Sequence, residues 1–155
     1  MVLDENFFEF IKLLDKHEVA YVLVGGWAVI FYGYARTTGD MDILVRPSAE
    51  NAEKIMIVLN EFWGSSLSFV KEDFEKEEQV LMMGRPPLRI DLLTSIAGVS
   101  FDEVYSTSNM FYEDGINIRC IHINELIRNK EASGRAKDIA DAEILKKIRE
   151  KRNNQ

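Results

Sequence analysis

At 155 residues the chain is long enough to bury one core without disulfides or metal staples, and a single domain spanning 1–155 is expected. Hydrophobic residues make up 46% and charged residues 29%, an ordinary globular balance, and no run approaches the ~18 to 20 apolar residues that cross a bilayer. The lone cysteine, Cys120, excludes an intrachain disulfide and a multi-cysteine zinc site. Met1–Asn6 carries two acids and no base, unlike a secretory signal, so a cytoplasmic address is expected. The net charge of -7 hides an asymmetry: residues 1–125 hold 10 Lys and Arg against 21 Asp and Glu, and residues 126–155 hold 9 against 5. An acidic body argues against broad nucleic-acid binding, while the basic tail is either a solvated helix or a local phosphate contact.

Asp4 is placed to cap a first helix in which Phe7, Phe10, Ile11 and Leu14 fall at i, i+3, i+4 and i+7. Tyr21–Val24 suits a short buried strand, and Trp27–Tyr34 reads as a helix that stops at Gly33 and the polar 36–39 loop. A second strand is expected over 40–45. Pro47-Ser48 then opens a helix with Ala52, Ile55, Met56 and Leu59 on one face and Gly64 as its stop. Leu67–Val70 reads as a short strand and Lys71–Glu78 as a loop or exposed turn. Gln79–Met83 and Leu88–Leu93 read as a hairpin about Gly84-Arg85-Pro86-Pro87.

Phe101–Tyr105 fits a short helix, and 110–112 with 116–121 a second hairpin about Glu113-Asp114-Gly115. Asn124 is placed to cap a final helical pair, broken near Ser133-Gly134, with Ala136, Ala140, Ile144 and Ile148 as an apolar i+4 ladder. Strands and helices mix without strict alternation, so the expected fold is α+β, a mixed or antiparallel central sheet flanked by helices. Its core would lie at about 19–95, followed by a C-terminal hairpin and helices at 109–150.

Residues two apart on a strand share a face, so Asp40 and Asp42 stand side by side. Two carboxylates that close resist joint ionisation unless a cation sits between them, and Mg²⁺, which brings substrate phosphates, is the usual solution. Asp91 lies between Ile90 and Leu92 in an apolar run, a costly place for an unpaired acid. If its strand lies beside that of Asp40 and Asp42, the triad can hold two metal ions about 3.5 to 4 Å apart and serve phosphoryl transfer. Gly25-Gly26, between a strand and a helix start, lets backbone N–H groups approach a triphosphate.

In this order the residues resemble the polymerase-beta-type nucleotidyltransferase superfamily: Val24-Gly25-Gly26, then Asp40-Met41-Asp42-Ile43, then Ile90-Asp91-Leu92. Gly25-Gly26-Trp27-Ala28-Val29 is similar to small lincosamide-type antibiotic nucleotidyltransferases. Arg36-Thr37-Thr38-Gly39-Asp40-Met41-Asp42 and Arg135-Ala136-Lys137-Asp138-Ile139-Ala140-Asp141 resemble minimal bacterial abortive-infection and toxin–antitoxin nucleotidyltransferases. The resemblance implies a nucleotidyltransferase-like fold and transfer of a nucleoside monophosphate from an NTP to a hydroxyl, releasing pyrophosphate. It implies that Asp40, Asp42 and Asp91 ligate two Mg²⁺ ions and that Asp91 also accepts the hydroxyl's proton. Gly25 and Gly26 would cradle the β and γ phosphates, and Lys130, with Arg36 and Arg135 behind it, would contact phosphate. The acceptor is left open between a small molecule, an RNA end and a protein, as is a homodimer or an antitoxin-like partner.

The same residues admit plainer roles. Asp40 and Asp42 would serve as an edge-strand pair that blocks aggregation, Asp91 as a core acid bridged to Arg89 or Arg36, and Arg36 as a helix cap. Lys130, Arg135, Lys137, Asp138 and Asp141 would be helix-surface charges. Trp27, Phe31 and Tyr32 read as core, His17 and His122 as structural. The rival activities are a catalytically silent nucleotide- or partner-binding protein and a Mg²⁺-dependent nuclease. The Gly-Gly element favours a triphosphate donor over the nuclease.

Overall fold

The computed structural model describes residues 4–154. α1 (Glu5–Lys16) begins where the Asp4 carboxylate accepts from the Asn6 N–H, and its Phe7, Phe10, Ile11 and Leu14 are buried as the spacing predicts. β1 (Tyr21–Val24) is buried throughout and runs into α2 (Gly25–Phe31). β2 (Asp40–Val45) leads to α3 (Ala49–Trp63), capped by the Ser48 side chain and ended by Gly64 at φ +72°. β3 (Val80–Arg85) and β4 (Leu88–Leu93) form the first hairpin. α4 (Phe101–Thr107), β5 (Asn109–Glu113), β6 (Ile116–Cys120), α5 (Ile123–Ser133) and α6 (Ala136–Asn153) complete the order. None of the helices among the described residues is long and apolar enough to cross a membrane.

The strands make one six-stranded mixed sheet in the order β3-β4-β2-β1-β6-β5. β1 pairs antiparallel with β2, β2 parallel with β4, and β1 parallel with β6. The α+β class with a mixed central sheet is therefore observed. Strand alternation divides the interior in two. Leu23, Met41, Ile43, Ile90 and Leu92 face α1 and α3, while Val22, Val24, Leu44 and Cys120 face a second core with α2, α4, α5 and α6. Asp40, Asp42 and Asp91 share the parity of Leu44 and Leu93 and so belong to the second face.

Local expectations fail at several points, each where a tertiary partner overrides local pattern. Leu67–Val70 is extended but pairs with no strand. Phe69 instead packs edge-on against Phe74, which a short 3₁₀ turn (Lys71–Phe74) carries into the core within the expected loop. α2 starts two residues earlier than predicted and stops at Phe31. Gly84 and Arg85 belong to β3, which leaves Pro86-Pro87 as the turn. The cap of α5 is His122, whose Nδ1 accepts from the Asn124 N–H, rather than Asn124 itself.

The predicted apolar ladder on α6 is also displaced. Ala136 and Ala140 are exposed, and the buried face carries Asp138, Asp141, Ala142 and Leu145. The helix turns two carboxylates inward because Lys130 and Arg36 wait there. Asn51 is a buried polar residue the sequence did not flag. Its amide bonds Ala20 on both backbone groups and the Arg46 carbonyl, tying α3 to the ends of β1 and β2.

Candidate active site

Val24 stands opposite Asp42 across the β1–β2 ladder, and Asp42 stands opposite Asp91 across the parallel β2–β4 ladder. Asp40 is likewise in register with Arg89. Three carboxylates on two neighbouring strands are thereby brought to one place by backbone register alone. Immediately after Val24 the chain turns through Gly25 at φ +68°, where a Cβ would collide with the Asp42 carboxylate. Only glycine combines that left-handed backbone with that close approach. A Cβ on Gly26 would meet Thr38 Oγ1 at 2.9 Å, so this second glycine also lets the 36–39 loop lie against the turn.

Gly25, Gly26, Arg36, Asp40, Asp42, Asp91, Lys130 and Arg135 all line a single cavity of about 550 Å³. The size suits a nucleotide-sized ligand. Its floor is the acid face of β2 and β4, one wall is the glycine turn with Thr38, and the opposite wall is α5 and the start of α6. Val80, Leu93, Ile96 and Ala97 form a less polar margin on the β3 side. Thr38, from the Arg36–Asp42 motif, also lines it, as do Asn129 and Ser133, which nothing in their local sequence marks as site residues.

Electrostatics concentrates on Asp42. Burial, then the charges of Asp91 and Asp40, push its carboxyl up to about 6 against the weaker opposing pull of Lys130 and Arg89. Asp91, 7% exposed, is held by Arg89, with Nε donating to Oδ1 and Nη2 to Oδ2, both at 3.1 Å. Of the two partners expected for a bridged Asp91, Arg89 is the one found. Arg36 instead grips Asp141, its Nη1 donating at 2.8 and 2.7 Å to the two carboxylate oxygens, and does not cap α2.

The α5–α6 wall is a buried ion network. Lys130, 7% exposed, reaches Asp138 and Asp141 at 3.2 Å each, and both acids are 4% exposed. Burial alone would raise the Asp138 carboxyl, but hydrogen bonds from Ser133, Lys130 and Arg135 outweigh it and hold it below its usual range. These side chains are therefore not the helix-surface charges the sequence allowed. Arg135 and Lys137 remain exposed at the cavity rim.

The three carboxylates form an all-oxygen donor set of the kind that suits Mg²⁺, and a cation between them would relieve the repulsion that raises Asp42. As the side chains stand, no group of three His, Cys, Asp or Glu among the described residues is in metal-binding geometry. Arg89 already takes up Asp91.

No protein-family model matches the sequence, nor does any curated protein. Among the solved structures that match, two cover nearly the whole chain. One is the lincosamide antibiotic adenylyltransferase LnuA bound to lincomycin, with 17% identity, TM-score 0.57, and coverage of 95% of this chain and 98% of that one. The other is a Thermotoga maritima protein provisionally described as a nucleotidyltransferase, with 16% identity, TM-score 0.58, and coverage of 94% and 91%. The chain has a nucleotidyltransferase fold. Within this nucleotidyltransferase fold the glycine turn, the β2 acids and the β4 acid stand around one cavity.

Proposed function

We propose that the chain is a Mg²⁺-dependent nucleotidyltransferase that moves a nucleoside monophosphate from an NTP to a hydroxyl acceptor and releases pyrophosphate. The observation that carries this reading is the register that sets Asp42 against Asp91 on the floor of a cavity whose far wall carries Lys130. Asp40, Asp42 and Asp91 would hold the cations, which when bound polarise the phosphates and offset charge on the transferring group. Gly25 and Gly26 leave room for the β and γ phosphates against backbone N–H groups. Lys130 and the rim residue Arg135 face the same space with positive charge.

Asp91 takes the acceptor's hydroxyl proton. The oxygen then forms a bond to the α phosphorus while the bond from that phosphorus to the bridging oxygen breaks, and pyrophosphate leaves with the electron pair. The acceptor class follows from neighbours only by analogy: LnuA binds lincomycin, so a small hydroxyl-bearing molecule is the first class to screen.

One observation favours a second reading, a catalytically silent nucleotide- or partner-binding protein. Lys130 and Arg36 are already neutralised by Asp138 and Asp141, which weakens their pull on phosphate. Calorimetric titration of the four NTPs with Mg²⁺ tests the site. Cation-dependent binding by the wild type, lost in Asp40→Asn/Asp42→Asn, is expected. A folded wild type that binds none of the four would end the transferase reading. Binding without turnover across an acceptor screen would leave the silent one.

A further inference from the structure

Arg89 lies two residues before Asp91 on β4 and therefore on the same face, in register with Asp40 across the parallel ladder. Its guanidinium binds both oxygens of Asp91 at 3.1 Å and lies 3.8 Å from Asp40 Oδ1. Its Nη2 also touches Met82 Sδ at 2.9 Å on the edge strand β3. One positive charge is thus lodged among three acids, in the place where an added cation would find its ligands. As the side chains stand, no three carboxylates among the described residues are placed to hold a metal, and both oxygens of Asp91 are taken up by Arg89. A planar fork matched to a carboxylate is a strong but exchangeable partner, and the Arg89 side chain, 33% exposed, has solvent beside it into which it can swing.

We propose that Arg89 is a built-in counter-ion: its guanidinium pairs with Asp91, against Asp40, in the free chain and is displaced when a divalent cation binds the carboxylates. The inference rests on the reading of these acids as a cation site and deepens it, since cation affinity becomes a competition with a residue of the chain. It explains how three clustered carboxylates fold without metal. It also explains why Asp91, in register beside Asp42, is not available to a cation until Arg89 moves. Arg89 is here a positioning residue that acts through Asp91.

Mn²⁺ titration by calorimetry, without nucleotide, on the wild type, Arg89→Ala, Arg89→Lys and Asp91→Asn reads the competition directly. Arg89→Ala is expected to bind Mn²⁺ more tightly, by up to about fivefold, the scale of one partly exposed ion-pair competitor. Its melting temperature should also rise more with Mn²⁺ than that of the wild type. Arg89→Lys, which keeps the charge but loses the two-point fork, should fall between, and it carries the comparison if Arg89→Ala does not fold. Asp91→Asn should bind more weakly than the wild type.

Wild-type binding with no tightening in a folded Arg89 variant would overturn the proposal and leave the cation site standing. Failure of every form, the wild type included, to bind Mn²⁺ would overturn both.

Discussion

At Asp42, burial and two neighbouring carboxylates oppose ionisation, and this has a consequence for stability as well as for chemistry. The folded-state value of about 6 lies above the ~3.9 of an unfolded aspartate, so the native chain binds this proton more tightly than the unfolded one. Stability from this group is therefore full below about pH 4 and is lost as pH rises through 6. The shift corresponds to a penalty on the order of 3 kcal/mol above that window in the absence of metal. Asp42→Asn, which removes the charge and keeps the shape, should match the wild type near pH 4 and be more stable by up to that amount at pH 7. Urea midpoints at several pH values in chelator check it, and a difference that does not change with pH would sink the argument. Gly25 belongs to the same event, because any side chain there would displace the Asp42 carboxylate.

At the scale of elements, α5 and α6 hold the wall of the site through charge as much as through apolar packing. Asp141 neutralises Arg36 from the loop before β2 and Lys130 from α5 at once, and all three are largely buried. Removing one partner of a buried pair leaves the other uncompensated, at a cost of roughly 3 to 5 kcal/mol. Asp141→Ala is thus expected to lower the denaturation midpoint sharply and to free the 36–39 loop from the wall.

The burial pattern of α6 gives a second comparison within this element. Leu145→Ala, at a fully buried position, should cost about 2 to 5 kcal/mol, while Ala140→Ser on the exposed face should stay within about 0.5 kcal/mol. Equal effects from the two would contradict the orientation of the helix. Sequence periodicity chose a ladder of Ala136, Ala140, Ile144 and Ile148 because they look apolar in a row; its first half is exposed, and Ile148 packs only at the margin of the second core. Local pattern cannot see that two aspartates have buried cations to meet.

Across the whole molecule, the sheet is covered by α1 and α3 on one face and by α2, α4, α5 and α6 on the other. β4, β2, β1 and β6 lie inside the sheet order, β6 joined to β1 over a short stretch, while β3 and β5 are its edges, with Val80, Met82, Met110 and Tyr112 exposed along them. Amide hydrogen exchange should therefore be slowest in β1, β2 and β4 and faster in β3 and β5. Protection that is uniform across all six strands would argue against this layering. Exposed apolar side chains on the outer strands do not change the order, since edge strands are the ones that keep a solvent side.

The amino-acid sequence by itself determined the α+β class, most of the elements, and the order glycine pair, paired acids, later acid. Those features are carried by local chemistry: side-chain alternation, capping residues, and the backbone freedom that Gly25 uses at φ +68°. Tertiary structure decided the rest. The β2–β4 register that sets Asp42 beside Asp91, the exchange of Arg36 from cap to Asp141 partner, and the placing of Lys130 on the same cavity as Asp42 join residues 49, 105 and 88 positions apart. No window along the chain contains both partners of such contacts. Asp91 and Arg89 show the division most plainly, since two positions on one strand announce a shared face. That their carboxylate and guanidinium close on one another, beside Asp40 and Asp42, is set only when the strands pair.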